Sequence, residues 1–92
     1  MTKKRFDSIW DAIETPAEAE NMKLRAKLMR AIINHIERRE LSQAAAAKLM
    51  GVTQPRISDL VRGKIDLFSI DMLINMAAAA GLHVDLKIAR GA

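Results

Sequence analysis

Three times between positions 42 and 81 a Ser or Thr stands a few turns ahead of a Gly: Ser42 with Gly51, Thr53 with Gly63, Ser69 with Gly81. A Ser or Thr hydroxyl accepts from the N–H groups that the first turn of an α-helix leaves unpaired. Glycine enters the left-handed backbone that ends a helix without steric cost. Each pair therefore brackets one helix, over 43–50, 54–62 and 70–80. Only Val52 separates the first two brackets. Two helices must then meet at a tight turn, and few folds accommodate that.

Upstream, Thr15-Pro16-Ala17-Glu18 reads as a helix start, with Thr15 as N-cap, Pro16 in the first helical position and Glu18 closing a capping box. The helix that follows runs to about 39, with Leu24, Leu28, Ile32 and Ile36 as its apolar stripe, backed by Met29 and Ile33. A break near Asn21 is compatible with the pattern. Before it, Phe6, Ile9, Trp10 and Ile13 recur at helical spacing and predict a short amphipathic helix. In the last helix Ile70, Leu73, Ile74 and Ala77 share one face.

After Gly81 the period changes. Leu82, Val84, Leu86 and Ile88 alternate with His83, Asp85 and Lys87, the pattern of a half-buried strand. One strand is not a sheet, and its unpaired edge needs a partner. The same strand of a second copy across a two-fold axis supplies one. A frayed tail, or pairing with residues 3–6, is the alternative.

Half of the 92 residues are hydrophobic, and Phe6, Trp10 and Phe68 are the only aromatics. A core of Leu, Ile, Val, Met and Ala suits packed helices. The absence of cysteine excludes disulfides, a thiol nucleophile and a cysteine zinc site, and fits a cytoplasmic protein. The basic start Lys3-Lys4-Arg5 is followed by Asp7, Asp11 and Glu14 rather than an apolar run, so a secretory leader is not expected. No apolar run is long enough to span a membrane.

Charge is unevenly placed. Residues 6–20 hold five acids and no base, whereas residues 21–92 hold twelve bases against six acids. A basic body suits a partner rich in phosphates. Solvated helix faces would give the same count, so charge alone decides nothing. The organisation expected is an acidic amphipathic segment over 1–20, a helical domain over 21–81, and a dimerisation strand and tail over 82–92.

The block from Ser42 to Gly63 carries the informative spacing. Ala47 sits where two helices would cross and must be small. Gly51 turns the chain, and Val52, Ile57, Ala46, Met50 and Leu60 fill the space beneath. With these positions occupied, the chain over about 24–80 resembles the XRE, or Cro/cI-type, helix-turn-helix repressors. Residues 23–29, 41–67 and 68–81 further resemble the regulators grouped with HigA-like antitoxins. The resemblance implies an all-α, five-helix, lambda-repressor-like helix-turn-helix domain, here with one C-terminal β-strand pairing across a homodimer. It also implies a repressor of its own operon that neutralises a partnered RNA-cleaving toxin. Residues 1–15 carry no motif of that family.

In such a motif the second helix enters the major groove with its N-terminal residues at the base edges. Gln54 has an amide that pairs bidentately with adenine, and Arg56 a fork that pairs with guanine. Asp59 either accepts from cytosine or orients Arg56 or Arg62. Pro55 offers apolar contact only, as to a thymine methyl; many family members carry a polar residue there, so the base code stays open. Gln43, Thr53, Ser58, Arg62 and Lys64 are phosphate candidates, which set register and affinity rather than sequence choice. Lys48 and the cations of 23–39 read as solvated. A homodimer would place two such helices about one helical turn apart, roughly 34 Å, on an inverted-repeat operator.

No catalytic or cofactor pattern is present. His35 and His83 lie far apart without a motif, His35 reading as a helix-surface residue, and neither a phosphate loop nor metal spacing occurs. The chain reads as no enzyme and as having no small-molecule substrate or membrane partner. The expected partners are double-stranded DNA, a second copy of the chain, and a toxin protein. A second functional class stays open, that of a protein-interaction module. There Phe6, Ile9, Trp10 and Ile13 dock in a groove of a basic partner; the alternative is that they pack on the chain's own core.

Overall fold

A computed structural model describes residues 15–90. Four α-helices follow one another: α1 (Pro16–Arg38), α2 (Gln43–Met50), α3 (Gln54–Val61) and α4 (Ile70–Ala79), with a 3-10 turn at Ile65–Leu67 between the last two. Every helix begins the same way. Thr15, Ser42, Thr53 and Ser69 accept at the side-chain oxygen from the N–H three residues on, at 3.1, 3.0, 3.4 and 3.1 Å. These caps contribute about 1 kcal/mol each.

Every helix also ends the same way. One N–H reaches back three residues and the next reaches back five, satisfying two of the carbonyls the last turn would orphan. The pairs are Gly51 to Lys48 and Val52 to Ala47, then Gly63 to Leu60 and Lys64 to Asp59, then Gly81 to Ala78 and Leu82 to Ala77. After α1 the same geometry recurs, Glu40 to Glu37 and Leu41 to Ile36, with no glycine. Glu40 therefore sits at φ 52°, the sole positive-φ non-glycine among the described residues.

The core lies where the four helices converge. It holds Met29, Ile32 and Ile36 of α1, Ala46, Ala47 and Met50 of α2, Ile57 and Leu60 of α3, Phe68, and Leu73, Met76, Ala77 and Ala80 at the end. α1 packs chiefly on α4, and α2 packs on α3 and α4. Each fully buried Leu, Ile or Met contributes about 1.5–3 kcal/mol.

Several expectations change here. The break near Asn21 is absent, because α1 is continuous through it and Asn21 Oδ1 accepts from Arg25 Nε at 2.7 Å. The buried face of α1 is turned toward Met29, leaving Leu24 half-buried at its margin. On α4 the core face is Leu73, Met76, Ala77 and Ala80, the i, i+3, i+4, i+7 set. Ile74 is 36 % exposed instead. Helix α4 thus has a second apolar stripe, in which Ile70 and Ile74 line a groove with Leu24 and Leu28.

Residues 82–90 have no regular structure, and residues 82–87 of them line that groove. The strand expected over 82–88 is not formed by this single chain, since no strand occurs among the described residues to pair with it. The apolar members uncover progressively: Leu82 is half-buried, Val84 is 37 % exposed, Leu86 62 % and Ile88 85 %. The fifth helix, expected over 6–13, lies outside the described residues. No helix among the described residues is long and apolar enough to cross a membrane.

Candidate nucleic-acid interface

Helices α2 and α3 are joined by Gly51, Val52 and Thr53. Gly51 turns the chain at φ 71°. Ala46 and Ala47 are buried under the crossing, where a larger side chain would hold the helices apart. Ile57 and Leu60, both fully buried, pin α3 to the core by one face. What remains outward is the N-terminal end of α3, where Thr53, Gln54 and Pro55 are all exposed. Among the described residues nothing covers them.

The base-edge candidates differ in how free they are. Gln54, the first residue of α3, keeps its amide in solvent. Pro55 is exposed beside it and has no N–H to leave unpaired, which suits the helix start. Arg56 is half-buried: its Nη1 donates to the Leu67 carbonyl at 3.2 Å, and its guanidinium lies 5.4 Å from the centroid of the Phe68 ring. Asp59 orients neither Arg56 nor Arg62. Its Oδ1 meets Lys64 Nζ at 3.8 Å, a partly exposed ion pair of about 0–1 kcal/mol.

The phosphate candidates differ in exposure. Gln43 is exposed at the start of α2, and Arg62 and Lys64 are exposed just past α3. Thr53 uses an oxygen lone pair for its cap and retains its O–H proton to donate. Ser58 is half-buried on α3. Arg62 and Lys64 are the cations among them, and the Lys64–Asp59 pair is weak enough for Lys64 to change partner at small cost.

Two residues without a sequence signal for such a role, Arg25 and Phe68, support this surface. Arg25 of α1 is not merely solvated: its Nη1 donates to the carbonyls of Ile65 at 3.0 Å and Phe68 at 3.5 Å. Phe68 is buried and carries Arg56 on its face. Neither role had a sequence signal, because Arg25 and Ile65 are forty positions apart. His35 likewise departs from the surface position expected: it is half-buried, and its Nε2 is buried without a hydrogen-bond partner. It lies on α1 and outside this interface. The candidate partner-binding residues Phe6, Ile9, Trp10 and Ile13 lie outside the described residues. Among the described residues no group of His, Asp or Glu is arranged to hold a metal ion.

Comparison with known proteins agrees with this geometry. A family model described as a helix-turn-helix domain matches residues 14–89. A solved structure described as an XRE family transcriptional regulator superimposes with a TM-score of 0.74 at 34 % sequence identity, over 80 % of this chain and 83 % of that one. No curated protein matches the sequence. The match spans all four helices and the turn between α2 and α3, and on that basis the chain belongs to the XRE-type family of helix-turn-helix transcriptional regulators.

Proposed function

We propose that this protein represses transcription by binding operator DNA with α3 in the major groove. The observation that carries this reading is the uncovered N-terminal end of α3, held from behind by Ile57 and Leu60 within a helix-turn-helix. Gln54 pairs with adenine N6 and N7, Pro55 meets a thymine methyl, and Asp59 accepts from cytosine N4 once Lys64 turns to phosphate. Gln43, Thr53, Ser58, Arg62 and Lys64 hold the backbone and set register. The guanine contact assigned to Arg56 from the sequence competes with its bond to the Leu67 carbonyl, which occupies Nη1.

The protein acts as a homodimer on an inverted repeat. Support comes from the tail: Val84, Leu86 and Ile88 are apolar, increasingly exposed and two residues apart, so the segment, if extended on pairing, would offer an unpaired edge and an apolar face. Antiparallel pairing of two copies over 82–88 closes both. The finer reading, an antitoxin that neutralises a basic toxin through Phe6, Ile9, Trp10 and Ile13, rests on the resemblance of residues 23–29, 41–67 and 68–81 to that group.

The test is selection of genomic duplex fragments by the purified protein, followed by titration at several salt concentrations. Retention of a common inverted-repeat sequence, bound about 10³-fold or more above bulk duplex, supports operator recognition. Equal binding of all duplexes, or none, overturns it.

A further inference from the structure

The segment Ile65–Phe68 is held by two arginines, one from α1 and one from α3, and this assigns Arg56 a task other than base reading. We infer that Arg25 and Arg56 form a clasp that fixes this segment, and with it the phosphate-facing residues Arg62 and Lys64, against the recognition helix. The inference rests on the DNA-binding reading above for its purpose but not for its geometry.

The physical need is plain. A single 3-10 turn supplies few internal hydrogen bonds, and between its two packed ends, Ile65 and Phe68, Asp66 and Leu67 are exposed, so packing leaves the middle of the segment unheld. Three of its carbonyls accept from guanidinium groups: Ile65 and Phe68 from Arg25, Leu67 from Arg56. Arg25 uses two nitrogens of its planar group, Nη1 toward the Ile65 and Phe68 carbonyls and Nε toward Asn21 Oδ1, an arrangement that a lysine ammonium cannot reproduce in the same rigid way. Asn21 Oδ1 at 2.7 Å aims the Arg25 fork from the other side. Arg56 is further steadied by the Phe68 ring, within the range at which a cation is attracted to an aromatic face.

Arg56 also links two parts of the interface. Its backbone N–H is the one that Thr53 caps, so the residue belongs to the base-reading end of α3. Its side chain is tied to the segment that follows the other end of the same helix. The clasp therefore makes the base-reading end and the phosphate-facing residues one rigid unit. Arg56 is a positioning residue: its loss loosens those residues rather than erasing one base contact.

Two measurements on the full-length protein test this. The first needs no DNA. Amide hydrogen exchange of Leu67 and Phe68, whose N–H groups bond to Lys64 and Ile65 carbonyls, is compared in wild type, Arg25→Gln and Arg56→Gln. Both variants are expected to speed these two amides and to leave Val52, in the α2–α3 turn, unchanged. The second titrates the same proteins on the selected operator and its single-base variants. Each substitution is expected to weaken binding to all sequences alike, by about three- to tenfold. The double variant should lose less than the product of the two, because both act through one segment. Arg56→Lys, which retains the charge, checks that the loss is one of geometry and should weaken binding in the same even way.

Unchanged exchange at Leu67 and Phe68 in both variants overturns the clasp. Loss of discrimination at one base pair in Arg56→Gln, with Arg25→Gln binding as wild type, makes Arg56 a base reader and overturns it too. Failure of the wild type to bind any duplex instead overturns the DNA-binding reading, and leaves the exchange result to stand alone.

Discussion

The helix-turn-helix and the C-terminal tail were read from equally clean sequence patterns, yet one is fully formed in the single chain and the other is not. From Ser42 to Gly63 every group that needs a partner finds it nearby: Ser42 caps Ala45, Thr53 caps Arg56, and Ile57 and Leu60 bury against α1 and α2 neighbours of the same chain. From Leu82 to Ile88 the alternation is as regular, but exposure rises steadily along it. A helix satisfies its own backbone, whereas a strand must borrow a neighbour. A pattern therefore becomes structure in one chain only when the partner it presupposes lies in that chain.

The largest expected effect breaks the well-formed half. Leu60→Ala should destabilise the protein by about 2–5 kcal/mol, by emptying a fully buried site that α3 shares with the core. Chemical denaturation monitored by circular dichroism reads this directly. A loss below about 1 kcal/mol would mean that α3 is not anchored as described.

Next come the helix ends. At Gly51 an added Cβ meets nothing within 4 Å, so the cost of Gly51→Ala lies in the left-handed backbone alone. About 1–2 kcal/mol should be lost. At the matching position after α1 the natural residue is Glu40, already bearing that strain. Glu40→Gly should therefore raise stability, by about 0.5–1 kcal/mol, a gain that a melting curve resolves. Opposite signs at the two sites would show that one turn geometry governs both; equal signs would refute it.

The smallest expected effect on folding falls in the tail. Leu86→Ser with Ile88→Ser should leave the stability of dilute protein within about 0.5 kcal/mol, since both side chains are exposed. Sedimentation at higher concentration should show the proposed dimer in wild type and a monomer in this variant. A variant that remained dimeric would move the interface elsewhere, the apolar groove beside Leu24 and Ile74 being the next surface to examine.

What could be read from the residues follows the same division. All four helix starts were visible because a cap acts over three residues, and three helix ends were visible because glycine marks them. The apolar stripe marks the end of α1 to within a residue, but not its left-handed residue, since Glu40 gives no such signal. Helical periodicity found the apolar residues of α1 and α4 but not which stripe faces inward: α4 has two, and only packing against α1 selects Leu73 and Met76 over Ile74. At the start of α3, Gln54 and Pro55 are exposed, as a local reading of the helix start expects. Arg56 does not stand free, and the reason is a carbonyl eleven residues away in a turn that no pattern foretold. The arginine of α1 that completes the arrangement is more distant still, beyond the reach of any local rule.

The account rests on the free end of α3 reading bases, and Gln54 tests it most directly. A titration should compare wild type with Gln54→Ala across operator variants in which each A·T pair is replaced in turn. The account predicts that wild type loses about 1–3 kcal/mol at one adenine in each half-site, and that Gln54→Ala no longer distinguishes that position while melting as wild type does. If Gln54→Ala ranked every operator variant as wild type does, the outward end of α3 would not be reading DNA.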